Sequence, residues 1–202
     1  MPNVAPTETI EARLVEIARA HVRKYGHQRT TVVGVAAEAG MTHANVYRYF
    51  PSKTALLDEV VASGLKPLEA RLREAADGAD PAHDKLERML TAVHRDYRAK
   101  LDEDPSLFDL LVEALLANRP SARKHRLRVQ SEIQRVLEEG VAAGAFAMTD
   151  RRRAMSLIFD AAHRFIHPVA LRLDRDASAP AVALRFETVL AMTVRTLRAG
   201  RL

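Results

Sequence analysis

Residues 30–53 read Thr-Thr-Val-Val-Gly-Val-Ala-Ala-Glu-Ala-Gly-Met-Thr-His-Ala-Asn-Val-Tyr-Arg-Tyr-Phe-Pro-Ser-Lys. This order predicts a short helix, a tight glycine turn and a second short helix crowded with polar and aromatic groups. Thr30 or Thr31 can cap the first helix, whose apolar residues Val32, Val35, Ala36 and Ala39 recur at helical spacing. Gly40 supplies the left-handed residue that ends it. Thr42 can cap the second helix, which carries His43, Asn45, Tyr47, Arg48 and Tyr49 before Pro51 stops it. The layout is that of a helix-turn-helix, whose second helix enters the major groove of DNA.

The chemistry of the second helix fits that use. His43, Ala44 and Asn45 occupy its first turn. Asn45 can pair in bidentate fashion with an adenine edge. His43 can donate or accept according to its tautomer. Ala44 is small enough to permit close approach or to touch a thymine methyl. Val46 and Phe50 are the core-facing residues. Tyr47 and Tyr49 are either half-buried aromatics or DNA contacts. Lys53 opens the next helix, where the helix dipole disfavours a cation unless a phosphate binds there too. Arg29 and Thr31 are placed to approach the other phosphate strand, although Arg29 is equally suited to a solvated loop. Gly34 weakens a helix by about 1 kcal/mol. Close approach of DNA or of another helix is a physical reason to have it.

The stretch resembles the DNA-binding domain of TetR-family transcriptional regulators. The residues that carry the resemblance are Ala39-Gly40, Tyr47-Arg48-Tyr49-Phe50 and Lys53. It spans about residues 10–60. It implies that Tyr47 donates to a phosphate while its ring packs in the domain, that Lys53 belongs to the phosphate clamp, and that regulation is by repression.

Composition agrees with an all-helical chain. The 202 residues are 48% hydrophobic and only 5% aromatic, and alanine, arginine and leucine are the commonest residues. Cysteine is absent, which removes disulfides, thiolate metal sites and cysteine nucleophiles. No apolar run reaches membrane-spanning length and no signal-peptide core is present, so a soluble, cytoplasmic protein without a membrane partner is expected. The net charge of +5 permits DNA binding without demanding it.

Outward from the motif the chain reads as further amphipathic helices, about nine in all. Residues 1–6 form a tail, and Thr7 can cap a first helix with Ile10, Leu14, Ile17, Ala18, Val22 and Tyr25 on its apolar face and Gly26 at its end. Ser52 caps a fourth helix that Pro67 should kink or divide. The loop 77–81 is the clearest break. A helix over about 82–103, a short one over 106–117 and a long one from Pro120 follow. The long helix has Leu127, Ile133, Val136 and Leu137 inward. Thr149 or Asp150 caps the next, which Pro168 interrupts, and Ser178 with Pro180 opens the last. The domain division predicted is 1–53 for DNA binding, with the start of a connecting helix over 53–66, and 67–202 for effector binding and dimerisation.

Apolar positions on more than one face of the last two helices call for a second partner. A homodimer supplies it through Met155, Phe159, Ala162, Ile166, Phe186, Val189, Thr193 and Leu197. Dimerisation also doubles the few base contacts of a two-turn helix, which implies a palindromic DNA operator. His94, Tyr97, Phe108 and His163 are candidates for holding a largely apolar small-molecule effector.

Other function classes are weaker. No glycine-rich phosphate loop, Gly-x-Ser-x-Gly or His-Glu-x-x-His occurs, no catalytic residue stands out and no cofactor is implied. The best metal candidate is Asp160, His163 and His167 on one helix face. The only other acid-x-x-His spacing, Asp80 to His83, lies at a proline-marked loop, so a di-iron site lacks its second half. An architectural DNA-binding protein without an effector would leave most of the chain without a task.

Overall fold

The computed structural model describes residues 9–200, and all regular structure among them is helical. There are ten helical segments: α1 Ile10–Tyr25, α2 Val32–Glu38, α3 His43–Tyr49, α4 Lys53–Asp77, α5 Ala82–Glu103, α6 Pro105–Leu116, α7 Pro120–Ala142, α8 Arg151–Ile166, α9 Pro168–Leu173 and α10 Ala179–Ala199. Counting α8 and α9 as one helix broken at Pro168 gives nine. None of the described helices is long and apolar enough to cross a membrane.

Local chemistry sets the boundaries. The side chains of Thr9, Thr31, Thr42, Asp104 and Asp150 each accept a bond from the backbone N–H three residues on. Ser52 does the same for Ala55 at 3.0 Å. Each such cap stabilises its helix by about 1 kcal/mol. The predicted cap Thr7 lies outside the described residues, and Thr9 does the capping. Prolines open α6, α7 and α9, where their missing N–H costs nothing.

The chain forms two compact units. Among the described residues the first comprises those up to 64 together with 104–122, so α6 packs with α1. Its core contains Leu14, Val15, Ala18, Val22, Val35, Val46, Leu56 and Phe108. Ile10 and Tyr25, expected on the inner face of α1, are exposed. They stand at the two ends of the helix, beyond the packed turns, and Val15 is buried instead.

The second unit comprises 65–103 and 123 onward. Here α10 packs on α8 and α5, and α5 packs on α8 and α9. Pro67 does not divide α4, which runs through it unbroken. Leu127 is not on the inner face of α7 but 55% exposed. The buried positions of α7 are 121, 122, 125, 129, 133, 136, 137 and 140, and a helical stripe through them puts 127 on the far side. The stripe runs through a histidine, His125, which hydropathy alone passes over.

Candidate nucleic-acid interface

The helix-turn-helix is built from its caps inward. Thr31 accepts from Gly34 N–H at 3.0 Å, and Val32, Val35 and Ala36 turn into the core. Gly40 takes φ +68°, a conformation that L side chains rarely adopt. Met41 N–H then donates to Ala36 C=O at 2.9 Å, which closes the turn. Thr42 caps α3 through Asn45 N–H. Phe50 is extended at φ −130°, as a residue before proline must be.

This frame fixes what α3 shows to solvent. Val46 is its only fully buried residue, and Phe50 closes the core behind it. Thr42, His43, Ala44, Asn45, Tyr47 and Arg48 are exposed, and Tyr49 is half-buried. The rings of His43 and Tyr47 meet edge to face at 6.4 Å. No side-chain hydrogen bond or ion pair commits His43, Asn45, Tyr47, Arg48 or Tyr49 to another described residue. The surface of α3 is therefore a row of donors and acceptors with nothing yet to meet.

The flanking cations are held in place. Lys53 Nζ donates to Gln28 C=O at 2.7 Å, which ties the first turn of α4 to the loop after α1. Arg29 Nε donates to Tyr25 C=O at 2.9 Å and remains exposed. Thr30 is buried and donates to Gly26 C=O at 2.9 Å, so the loop is anchored from within.

Gly34 now has a reason. A Cβ there would stand 3.1 Å from His21 Cε1 and 3.2 Å from Thr31 Oγ1. The His21 ring is itself fixed by Glu38 at 2.8 Å. Close approach of another helix explains the glycine, and no local signal in the sequence announces it.

Sequence reasoning also missed the bracing by α6 and its flanks. Arg23 bonds Asp104 at 2.5 Å and His27 bonds Glu113 at 2.5 Å. Ser121 donates to Asp58. These pairs join residues 63 to 86 positions apart.

The other candidate residues do not form one site. His94 and Tyr97 are buried on α5, Phe108 is buried in the first unit, and His163 is exposed. His94 Nδ1 donates to Phe165 C=O at 2.8 Å, and its ring lies 4.6 Å from that of Phe186. Burial lowers its pKa. Tyr97 O–H donates to His125 Nε2 at 2.7 Å, and His125 Nδ1–H donates to Glu69 at 2.8 Å. Arg128 also donates to Glu69, at 2.6 Å. The order carboxylate, imidazole, hydroxyl suits proton relay. Burial pushes the Tyr97 phenol far up, however, with Asp96 and Glu69 adding to the effect. It stays protonated, and the chain of bonds works as a buried clamp on α4, α5 and α7.

Of the residues expected at a dimer interface, Ala162, Ile166, Phe186, Thr193 and Leu197 are buried within the protomer, while Met155, Phe159 and Val189 are partly exposed. Leu184 and Met192, at 66% and 60% exposed, are the strongly apolar groups that α10 turns outward. Asp160, His163 and His167 do not make a metal centre: among the described residues no three His, Asp or Glu converge on one.

Comparison with known proteins matches this architecture. Residues 14–60 match the bacterial regulatory proteins of the tetR family, and residues 82–195 match the tetracyclin repressor-like C-terminal domain. The HTH-type transcriptional repressor KstR of Rhodococcus jostii (strain RHA1) is 28% identical over 180 residues, 87% of this chain and 78% of KstR. The uncharacterized HTH-type transcriptional regulator YhgD of Bacillus subtilis (strain 168) is 25% identical over 138 residues, 68% of this chain and 72% of YhgD. The crystal structure of the transcriptional regulator FadR from Bacillus subtilis in complex with stearoyl-CoA has the same fold. Its TM-score is 0.64 at 21% identity, covering 90% of this chain and 96% of FadR. With both halves matched and the helix-turn-helix in place, the chain belongs to the tetR family of bacterial regulatory proteins and is a DNA-binding transcriptional regulator.

Proposed function

We propose that this regulator is a homodimeric, cytoplasmic repressor that binds a palindromic operator and leaves it when a small, largely apolar molecule binds the second domain. The observation that carries the DNA part is the face of α3, where every outward polar side chain is uncommitted. Asn45 reads an adenine, and His43 and Ala44 contact neighbouring bases. Thr31, Thr42, Tyr47, Arg48 and Tyr49 meet the backbone, with Arg29 and Lys53 as cationic clamps. Residues 1–53 and the start of α4 serve DNA, and 67–202 serve the effector and the dimer.

Two turns of helix touch too few bases for a specific site, which favours two copies. The outward apolar side chains Met155, Phe159, Val189, Leu184 and Met192 on α8 and α10 give a second copy something to cover. That KstR is a repressor and that FadR was solved with stearoyl-CoA support repression and an apolar effector.

The test is a selection of bound duplexes followed by fluorescence anisotropy across salt, with sedimentation in parallel. Lys53→Ala should weaken all sequences alike and lower the salt slope by about one unit. A protein that stays monomeric at micromolar concentration, or that selects asymmetric sites, overturns the dimeric reading.

A further inference from the structure

The groove between α5 and α10 holds charges that the DNA-binding reading does not use. It has a volume of about 490 Å³ and is lined by Glu87 from α5 and by Ala191, Val194, Arg195, Arg198 and Ala199 from α10. The two helices pack on each other, and both belong to the second unit. Val194 is buried and supplies apolar wall. Ala191, Arg195, Arg198 and Ala199 are exposed, and Glu87 is half-buried.

The charges beside Glu87 on α5 are already met. Lys85 pairs with Glu139 at 2.7 Å, and Arg88 pairs with Asp80 at 2.7 Å. Glu87, Arg195 and Arg198 differ. None has a side-chain hydrogen bond or ion pair with a described residue, although all three line one groove. The carboxylate stands on one wall and the two guanidiniums on the other, and they do not close on each other. The helix dipole accounts for Arg198, which lies in the last turn of α10, but not for Arg195 before that turn. Ala147 N–H donates to Leu197 C=O at 3.2 Å, which ties the segment before α8 to the end of α10. The first turn of α8 then adds Arg151, Arg152 and Arg153, of which only Arg151 has an ion pair, with Glu138 at 3.1 Å.

Such a groove fits a molecule with two unlike ends. Residues three apart on a helix are neighbours, about 5–6 Å apart at Cβ, so Arg195 and Arg198 can hold one group from two sides. A carboxylate is satisfied by a single guanidinium fork, whereas a phosphate has oxygens for two. Glu87 can only accept, so it repels a bare phosphate dianion and needs a donor on the same molecule. The volume is that of a small-molecule site, which runs from about 300 to 1,000 Å³, and far exceeds a lone ion. We propose that the groove between α5 and α10 binds a hydroxylated phosphate monoester of the size of a nucleotide. Its phosphate lies on Arg195 and Arg198, and a hydroxyl donates to Glu87. The small side chains of Ala191 and Ala199 leave the body of the ligand room against Val194. No residue of this site belongs to the DNA interface or to the dimer surface proposed above.

Isothermal titration calorimetry of the purified full chain, in a neutral phosphate-free buffer, tests the site. The probes are adenosine monophosphate, glycerol phosphate, inorganic phosphate, acetate and adenosine, with sodium chloride at matched ionic strength as the control. Adenosine monophosphate should bind most tightly, glycerol phosphate next and inorganic phosphate more weakly, and adenosine not at all. Arg195→Gln and Arg198→Gln should each weaken the nucleotide about ten-fold, the worth of one charge-assisted bond. Ala191→Phe should block the groove without removing a charge. Glu87→Gln should narrow the preference for the esters over inorganic phosphate, because it no longer repels the bare dianion. Arg185→Gln, at an exposed position of α10 outside the groove, should change nothing. An unchanged urea midpoint in each variant shows that the fold is kept. The proposal is overturned by nucleotide binding no stronger than that of chloride, by acetate bound more tightly than the phosphates, or by adenosine bound as well as its monophosphate. Binding that survives both arginine variants would place the nucleotide elsewhere, the DNA-binding face included, and overturns it too. So does a loss in Arg185→Gln as large as in Arg198→Gln, which would mean diffuse attraction to positive charge. An unaltered ranking in Glu87→Gln would remove the hydroxyl contact and with it the choice of ligand. Operator binding is not the readout, so failure here leaves the DNA-binding reading untouched.

Discussion

The face of α3 and the core clamp of the second unit use the same residue types to opposite ends. On α3, His43, Tyr47 and Arg48 stand exposed with no hydrogen-bond or ion-pair partner among the described residues. In the second unit, His125 and Arg128 donate to Glu69 and Tyr97 donates to His125, so that both nitrogens of His125 are bonded. A histidine or tyrosine is therefore not informative by type. What matters is whether its polar atoms are already met. Saturated groups in a low-dielectric interior hold structure, because each lost partner is costly there. Unsaturated groups on a rigid, solvated frame are available for a ligand.

The largest test of that contrast is His125→Leu. It leaves the Tyr97 hydroxyl buried without a partner and removes one donor from Glu69. A loss of about 3 kcal/mol is expected, read as a lower urea midpoint. A loss below about 0.5 kcal/mol would mean that the clamp does not hold the unit together.

Acid should attack the same region. Burial lowers the pKa values of His94 and His125, with Glu69 opposing it for His125. Above about pH 6.5 the imidazoles are neutral in both folded and unfolded chains, and stability is full. As pH falls below that, the unfolded chain takes up protons that the folded one refuses. Stability then declines until the pH reaches the depressed folded values. The urea midpoint should fall over this window, and by less in His125→Leu. An unchanged slope in the variant would assign the acid sensitivity elsewhere.

On α3 the expected pattern reverses. Asn45→Ala should cost about 1–3 kcal/mol of specific DNA affinity and relax preference at one base pair per half-site. Its effect on the urea midpoint should stay within about 0.5 kcal/mol. A comparable loss of stability would show that Asn45 is not an uncommitted group.

Gly34→Ala is the smallest and tests the frame beneath α3. Alanine favours a helix by up to about 1 kcal/mol. The added Cβ meets His21 and Thr31, however, and both are held, by Glu38 and by the cap bond. A net loss of a few tenths of a kcal/mol is expected, with weaker DNA binding because Thr31 is displaced. A gain in stability with unchanged binding would show that His21 yields freely.

The sequence by itself determined whatever is decided within a few residues along the chain. The caps Thr31, Thr42, Ser52 and Asp150, the turn at Gly40, the stop before Pro51 and the break at Pro168 all act between a side chain and backbone one turn away. The apolar stripe of α5, from Leu86 to Leu101, is likewise a matter of period. These marks sufficed for an all-helical fold and for the helix-turn-helix. Tertiary structure alone decided which groups find partners across the fold. His21 over Gly34, Lys53 on the Gln28 carbonyl, α6 braced against α1, and His125 inside the stripe of α7 are separated in sequence by 13 or more residues. Nothing local encodes such meetings. A polar side chain in an apolar stripe is stable only when distant atoms saturate it, and Leu127 was displaced to the surface because His125 had such atoms and took the inner face.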